Sequence, residues 1–119
     1  MPRTLPTLCV LLCACGILGP DVETPNRRLL DPIPPEYPGW YAEVESCLGR
    51  AGDYDAIVWY VADDIIVDGV RKGGIFAFPN RITVRAPRVH DAFLVKHEMV
   101  HHVLQAGEEL HGTDVFDCA

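Results

Sequence analysis

The chain has 119 residues, of which 49% are hydrophobic and 23% are charged, and its formal net charge is −7. This composition is typical of one small globular domain and excludes a chain that is disordered throughout. A negative charge without a run of Lys or Arg also excludes the basic surface of a nucleic-acid-binding protein.

The N-terminus, residues 1–15, has the pattern of an export signal. Arg3 precedes an apolar run over residues 8–18, which is about half the roughly 20 residues needed to span a bilayer. Residues 12–15, Leu-Cys-Ala-Cys, resemble a bacterial lipobox, in which the final cysteine is lipidated. We therefore expect Cys15 to anchor the mature chain to a membrane of the bacterial cell envelope. Cleavage by an ordinary signal peptidase is the alternative.

The five cysteines divide into two groups. Cys9 and Cys13 leave with the signal and Cys15 carries lipid, so Cys47 and Cys118 remain. An exported domain lies in an oxidising compartment, which predicts a disulfide between these two. Two free thiols, or Cys118 as a zinc ligand, are the alternatives.

Residues 16–38 contain six prolines and little apolar periodicity, which predicts an extended tether. The folded domain is then expected to cover residues 39–119. Its first element is an amphipathic helix over residues 39–50 that ends at Gly49 or Gly52.

The middle of the domain has the pattern of a small sheet. The β-branched and aromatic residues 56–61 predict a strand at the sheet centre. Residues 74–78 and 81–85 predict two more strands of a β-meander, joined by a tight turn at Pro79 and Asn80. The acidic residues Asp63, Asp64 and Asp68 are interpreted as turn residues, because they lack the spacing of a calcium-binding EF-hand loop.

A second helix is predicted from Val89 or Asp91 to Ala106, with Gly107 as its stop. Apolar residues at helical spacing are expected to face the core from one side of this helix; they are Phe93, Met99, Val100, Val103 and Leu104.

This helix contains the segment HEMVH, residues 97–101. Side chains four residues apart project side by side on a helix, so His97 and His101 can share one metal ion. Glu98 lies about 100° round the helix, where its carboxylate can accept a proton from an attacking water. This HExxH arrangement is that of zinc metallopeptidases.

A catalytic zinc ion needs a third protein ligand and an open fourth position. His111, a few residues after the expected helix stop, is the predicted third ligand, and Asp114 is the alternative. His102 lies about 140° from His97, so it is expected to be a surface residue or a support for the site, with oxyanion stabilisation as the alternative. His90 is interpreted as a loop or helix-entry residue.

Several segments together resemble a family of small bacterial HExxH zinc metallopeptidases, often lipoproteins. They are residues 40–47, the strand around residues 59–61, the HEMVH segment, and His111 with Phe116 and Cys118. The resemblance implies a minimal zincin-like α+β domain. Such a domain has a backing helix, a small three-stranded antiparallel or mixed sheet, an active-site helix and here a disulfide-closed C-terminus.

We therefore expect an exported, monomeric zinc hydrolase that acts on a peptide or protein substrate. Its zinc ligands would be His97, His101 and His111, and Glu98 would be the general base. By analogy with larger zincins, the strand over residues 81–85 is the candidate to pair with an extended substrate. A non-catalytic zinc-binding or interaction lipoprotein is the alternative.

Overall fold

Seven short strands and two α-helices make up the described part of the chain, residues 19–119 of the computed structural model. The helices are α1 (Tyr37–Leu48) and α2 (Ala92–Leu104). The strands are β1 (Val22–Glu23), β2 (Arg28–Leu29), β3 (Val58–Ala62), β4 (Ile66–Val67), β5 (Val70–Arg71), β6 (Gly74–Ala77) and β7 (Arg81–Arg85). They form an α+β fold with two sheets. The predicted signal sequence, including Cys9, Cys13 and the lipidation candidate Cys15, lies outside the described residues.

The main sheet has four strands in the order β2-β3-β7-β6. β3 pairs with β7 in parallel, from Val58 opposite Arg81 to Ala62 opposite Arg85, and the outer strands pair antiparallel. The prediction that β3 lies inside the sheet is confirmed. The predicted meander is wrong because β3 and β7, which are neighbours, run in the same direction. The chain between them makes the β4–β5 hairpin and β6 before it returns, and residue alternation carries no information on that order.

The predicted tether contributes to both sheets. Val22 pairs with Val67 in a three-stranded sheet of order β1-β4-β5, and Arg28 pairs with Val61 at the edge of the main sheet. Tyr37 is fully buried as well. The folded region thus begins before residue 39. β1 and β2 have two exposed residues each, and backbone hydrogen bonds hold them in the sheets. The sequence therefore has no apolar pattern that could predict them.

α1 begins with a proline in its first turn and ends where Gly49 adopts a left-handed φ of 67°, which matches the predicted stop. Its buried side chains, Tyr37, Tyr41 and Val44, are spaced by four and three residues and face the core. This stripe packs against α2 and the main sheet, so α1 supports the helix that carries the HEMVH segment.

α2 ends at Leu104, where Gln105 is left-handed with φ of 51°, and so not at Gly107 as predicted. Met99, Val100 and Val103 are buried as predicted. Phe93 is 63% exposed, which contradicts its predicted place in the core. It lies about 120° round the helix from Met99 and about 40° from His97, and thus on the side of the metal-ligand candidates.

The disulfide between Cys47 and Cys118 is present, which excludes the alternatives of free thiols and of Cys118 as a metal ligand. It joins α1 to a 3₁₀ turn, Asp114–Cys118, at the end of the chain. The C-terminal segment is thereby fixed against both helices.

Of the three central aspartates, Asp68 is a turn residue as predicted, and Asp63 and Asp64 bind nearby side chains. Asp68 and Gly69 both have positive φ in the two-residue β4–β5 hairpin, which is the geometry of a type I′ turn. Asp63 accepts hydrogen bonds from Asn26 and Arg28, and Asp64 accepts two from Arg71.

Asp91 caps the N-terminus of α2, and Asp91→Ala is expected to lower the free energy of unfolding by about 1 kcal/mol at neutral pH. Its carboxylate accepts hydrogen bonds from the backbone N–H of Leu94 at 3.1 Å and from Nε of Arg88 at 2.8 Å. These bonds hold the pKa of Asp91 below its usual value. The carboxylate's contribution is therefore present above the unfolded pKa, about 3.9, and is lost as the pH falls through the lower folded pKa.

Urea unfolding at pH 7 and pH 3 measures this effect. The difference in the free energy of unfolding between wild type and Asp91→Ala should be smaller at pH 3 than at pH 7. Asp91→Asn should keep most of the stabilisation by the cap at both pH values. An alanine variant as stable as wild type at pH 7 would show that the cap contributes nothing.

Candidate metal centre

Three histidine side chains converge beside α2. His97 and His101 lie one turn apart on the helix, and His111 approaches from the following loop. Nε2 of His111 lies 3.3 Å from Nε2 of His97 and 3.1 Å from Nε2 of His101. One nitrogen of each ring lies within 4.8 Å of the others, which is close enough for the three to hold a metal ion. Asp114, the alternative third ligand, does not belong to this group.

The spacing of these nitrogens fits a shared ion. Two nitrogens bound at about 2.0–2.1 Å to a tetrahedral ion are about 3.3–3.4 Å apart. Both separations from His111 are close to that value. The donor set therefore fits an ion that takes three imidazoles and leaves one position open.

The loop after α2 places His111 and orients His101. The left-handed Gln105 ends the helix and turns the chain back, so that Nδ1 of His101 lies 2.9 Å from the carbonyl oxygen of Ala106. A carbonyl only accepts, so this Nδ1 carries the proton and donates it, which leaves the Nε2 lone pair of His101 free. A 3₁₀ turn, Glu108–Leu110, then brings His111 to the helix.

Glu108 orients His111 in the same way. Its carboxylate oxygen Oε2 lies 2.9 Å from Nδ1 of His111. This hydrogen bond lowers the pKa of Glu108. A carboxylate on the outer nitrogen of an imidazole ligand fixes the ring and raises its basicity as a ligand.

The surroundings of His97 and His101 favour the neutral imidazole, which is the form that binds metal. Burial, followed by the nearby His101 and His111, lowers the pKa of His97 to about 4. Burial also lowers the pKa of His101, although its hydrogen bond to Ala106 opposes the shift. At neutral pH both rings can therefore offer a lone pair.

Glu98 is only 4% exposed. Burial, and secondarily the charge of Glu108, raises its pKa to about 8. Strand β6 lies directly against it, since a Cβ added to Gly74 would stand 3.0 Å from Cγ of Glu98. The glycine thus allows the sheet edge and this carboxyl group to lie side by side.

A cleft of about 610 Å³ opens onto the three histidines and Glu98. The cleft is lined by residues of α2 and the loop after it, of β6, and of β1 and β4. Its apolar side chains include Phe76 and Leu94, and its cationic ones are Lys72 and Arg88. An extended ligand in this cleft would pass beside both the metal ligands and Glu98.

His102 does not join the three histidines, as its position on the helix predicts. It is 2% exposed and so is not a surface residue. Its Nε2 donates to Oδ1 of Asn80 at 3.0 Å, and its Nδ1 accepts from the hydroxyl of Tyr41 at 2.8 Å. It lines a separate cavity, which argues against a role in oxyanion stabilisation and assigns it to holding α2 against α1 and the β6–β7 turn. The partners lie 22 and 61 residues away, so helical spacing could not identify them.

His90 lies away from the three histidines, whereas Phe116 lies against them. His90 is exposed at the helix entry, 3.6 Å from a carboxylate oxygen of Glu36. Phe116, to which sequence spacing assigns no role, stacks on the ring of His97. In the sequence, Phe116 enters only through the family resemblance, together with His111 and Cys118.

Comparisons with known proteins add nothing to this geometry. No protein-family model, no curated protein and no solved structure matches the chain. Membership of a metallopeptidase family therefore stays a prediction.

Proposed function

We propose that the protein is an exported zinc-dependent hydrolase, and specifically a small zincin-like metallopeptidase. The observation that carries the proposal is the convergence of His97, His101 and His111 in one cleft with the buried Glu98. Three imidazoles on a helix and a following loop, with a carboxyl group next to the first ligand, are what the HExxH chemistry requires.

Zinc is the proposed ion because three neutral imidazoles form a common donor set for catalytic zinc. When bound, zinc would supply Lewis-acid activation of water and of the scissile carbonyl group. The open side of the cleft would leave room for the substrate beside the three ligands.

Glu98 is the proposed general base. Its carboxylate would take a proton from the attacking water and pass it to the leaving amine. This role requires the ionised form, so the positive charge of an ion held by the three imidazoles would have to lower the pKa of Glu98 from about 8. Its burial, at 4% exposure, would then strengthen its interaction with the reacting groups.

β6 is the strand that we propose for substrate binding. β7, the strand favoured by analogy from the sequence, lies between β3 and β6, so its backbone is already paired on both sides. β6 is an edge strand, and Gly74, Ile75 and Phe76 line the cleft beside Glu98. An extended peptide could add to this edge by backbone hydrogen bonds.

The cell envelope is the proposed location, with Cys15 as the lipid anchor. A disulfide is consistent with an extracellular, oxidising compartment. Within residues 19–119, no helix is both long and apolar enough to cross a membrane. Since residues 22–38 belong to the fold, the connection between Cys15 and the domain would be only a few residues long, and we propose a monomer close to the membrane surface.

Metal removal tests the proposal. We expect the zinc-loaded protein to cleave members of a broad peptide library, to lose this activity on treatment with a chelator, and to regain it when zinc is returned. Mass spectrometry of the products measures cleavage. A zinc-loaded protein that cleaves no peptide would favour the alternative, a non-catalytic zinc-binding lipoprotein.

A further inference from the structure

One aromatic ring contacts all three candidate metal ligands. The centroid of the Phe116 ring lies 3.9 Å from that of His97, with only 8° between the ring planes, so the two are stacked face to face. The same ring lies 5.1 Å from His101 and 5.4 Å from His111. Its strongest contact is therefore with His97.

His97 differs from the other two ligands in how its ring is held. Nδ1 of His101 is hydrogen-bonded to Ala106, and Nδ1 of His111 is hydrogen-bonded to Glu108. Among residues 19–119, the hydrogen bond found for the His97 ring is at Nε2, the atom that faces His111. Rotation of the His97 ring is thus limited by packing, and Phe116 supplies the flat surface against which it packs.

The fold holds Phe116 firmly enough for this task. It lies in the 3₁₀ turn Asp114–Cys118, two residues before the cysteine that is bonded to α1. α1 in turn packs against α2, which carries His97. Phe116 is thus linked through the disulfide to α1, and α1 packs against the helix that carries His97.

We propose that Phe116 is a positioning residue, which holds the His97 imidazole in its metal-binding orientation by stacking. The stacking takes the place of the hydrogen bonds that Nδ1 of His101 donates to Ala106 and Nδ1 of His111 donates to Glu108. The inference rests on metal binding by the three histidines, which is part of the proposed function, and it does not require peptidase activity.

The test compares three variants of the full chain by competition for zinc with a chromophoric chelator. Phe116→Leu keeps an apolar side chain but removes the aromatic face, so zinc affinity should fall about fivefold to tenfold. Phe116→Tyr keeps the face and should bind zinc as wild type does. Val115→Ala, in the same turn and also packed against the core, is the control for general loosening of the segment and should change affinity less than twofold.

A second readout reports on the ring itself. In the metal-free protein, the ring current of Phe116 should shift the carbon-bound imidazole protons of His97 upfield in NMR spectra. This shift should be kept in Phe116→Tyr and lost in Phe116→Leu, whereas the signals of His90, which is exposed, should not move. This readout establishes the stacking of Phe116 on His97 in solution, and the zinc affinities of the same variants show whether the stacking supports metal binding.

Equal zinc affinity in wild type and Phe116→Leu, or an equal loss in Val115→Ala, would overturn the inference, as would an unshifted His97 signal in wild type. A wild-type protein that binds no zinc would overturn both this inference and the proposed function. Zinc binding that depends on Phe116 in a protein that cleaves no peptide would support the inference and refute only the peptidase.

Discussion

Glu98→Gln is expected to bind zinc as wild type does and to lose peptide cleavage by a factor of about 10² to 10⁴, the usual contribution of a general base. The amide has nearly the shape of the carboxyl group but cannot accept the proton. Since burial raises the pKa of Glu98 to about 8, the metal-free fold already accommodates a neutral group here, so the variant should fold. Product formation per zinc-loaded molecule measures the effect.

A glutamate on the surface provides the matched control. Glu43 is on α1, its side chain is 62% exposed, and it pairs with Lys96 at 3.2 Å. Glu43→Gln makes the same chemical change at a site where an exposed ion pair contributes little, so activity and stability should stay close to wild type. Cleavage by Glu98→Gln at the wild-type rate would exclude Glu98 as the base, even if zinc is bound.

The local part of the site could be predicted from the sequence because helix geometry determines it. The spacing of His97 and His101 requires only that this segment be helical, and the apolar residues around it indicate a helix. His111 could be predicted to reach the metal site because a chain reversal was expected shortly after the end of the helix. The reversal occurs at Gln105, where the prediction had Gly107, because a left-handed non-glycine residue leaves little trace in a sequence.

The remaining features depend on partners that are distant along the chain. β1 and β2 are two-residue strands in a proline-rich segment, and only their pairing with β4 and β3 defines them. His102 can be buried because the hydroxyl of Tyr41 donates a hydrogen bond to it. Phe116 can stack on His97 because the disulfide fixes the C-terminal segment against the helices. Side-chain periodicity describes one element at a time, so it could not reveal contacts between elements.

His111→Ala is expected to weaken zinc binding by a factor on the order of 10² to 10³, since a site with three protein ligands loses one of them. The metal-free variant should be nearly as stable as wild type, because the side chain of His111 is 41% exposed and lies in a loop. Chelator competition measures the affinity. His90→Ala, which removes a histidine whose side chain is 74% exposed, is the control and should bind zinc as wild type does.

Thermal unfolding gives an independent measurement of the same change. An ion that binds only the folded state stabilises it in proportion to the logarithm of its affinity, so a 100-fold loss lowers the zinc-dependent stabilisation by about 2.7 kcal/mol at saturating zinc. His111→Ala should therefore unfold at nearly the wild-type temperature without zinc and well below it with zinc. If Asp114→Ala showed this behaviour and His111→Ala did not, the third ligand would be Asp114, and the loop would have to rearrange when the ion binds.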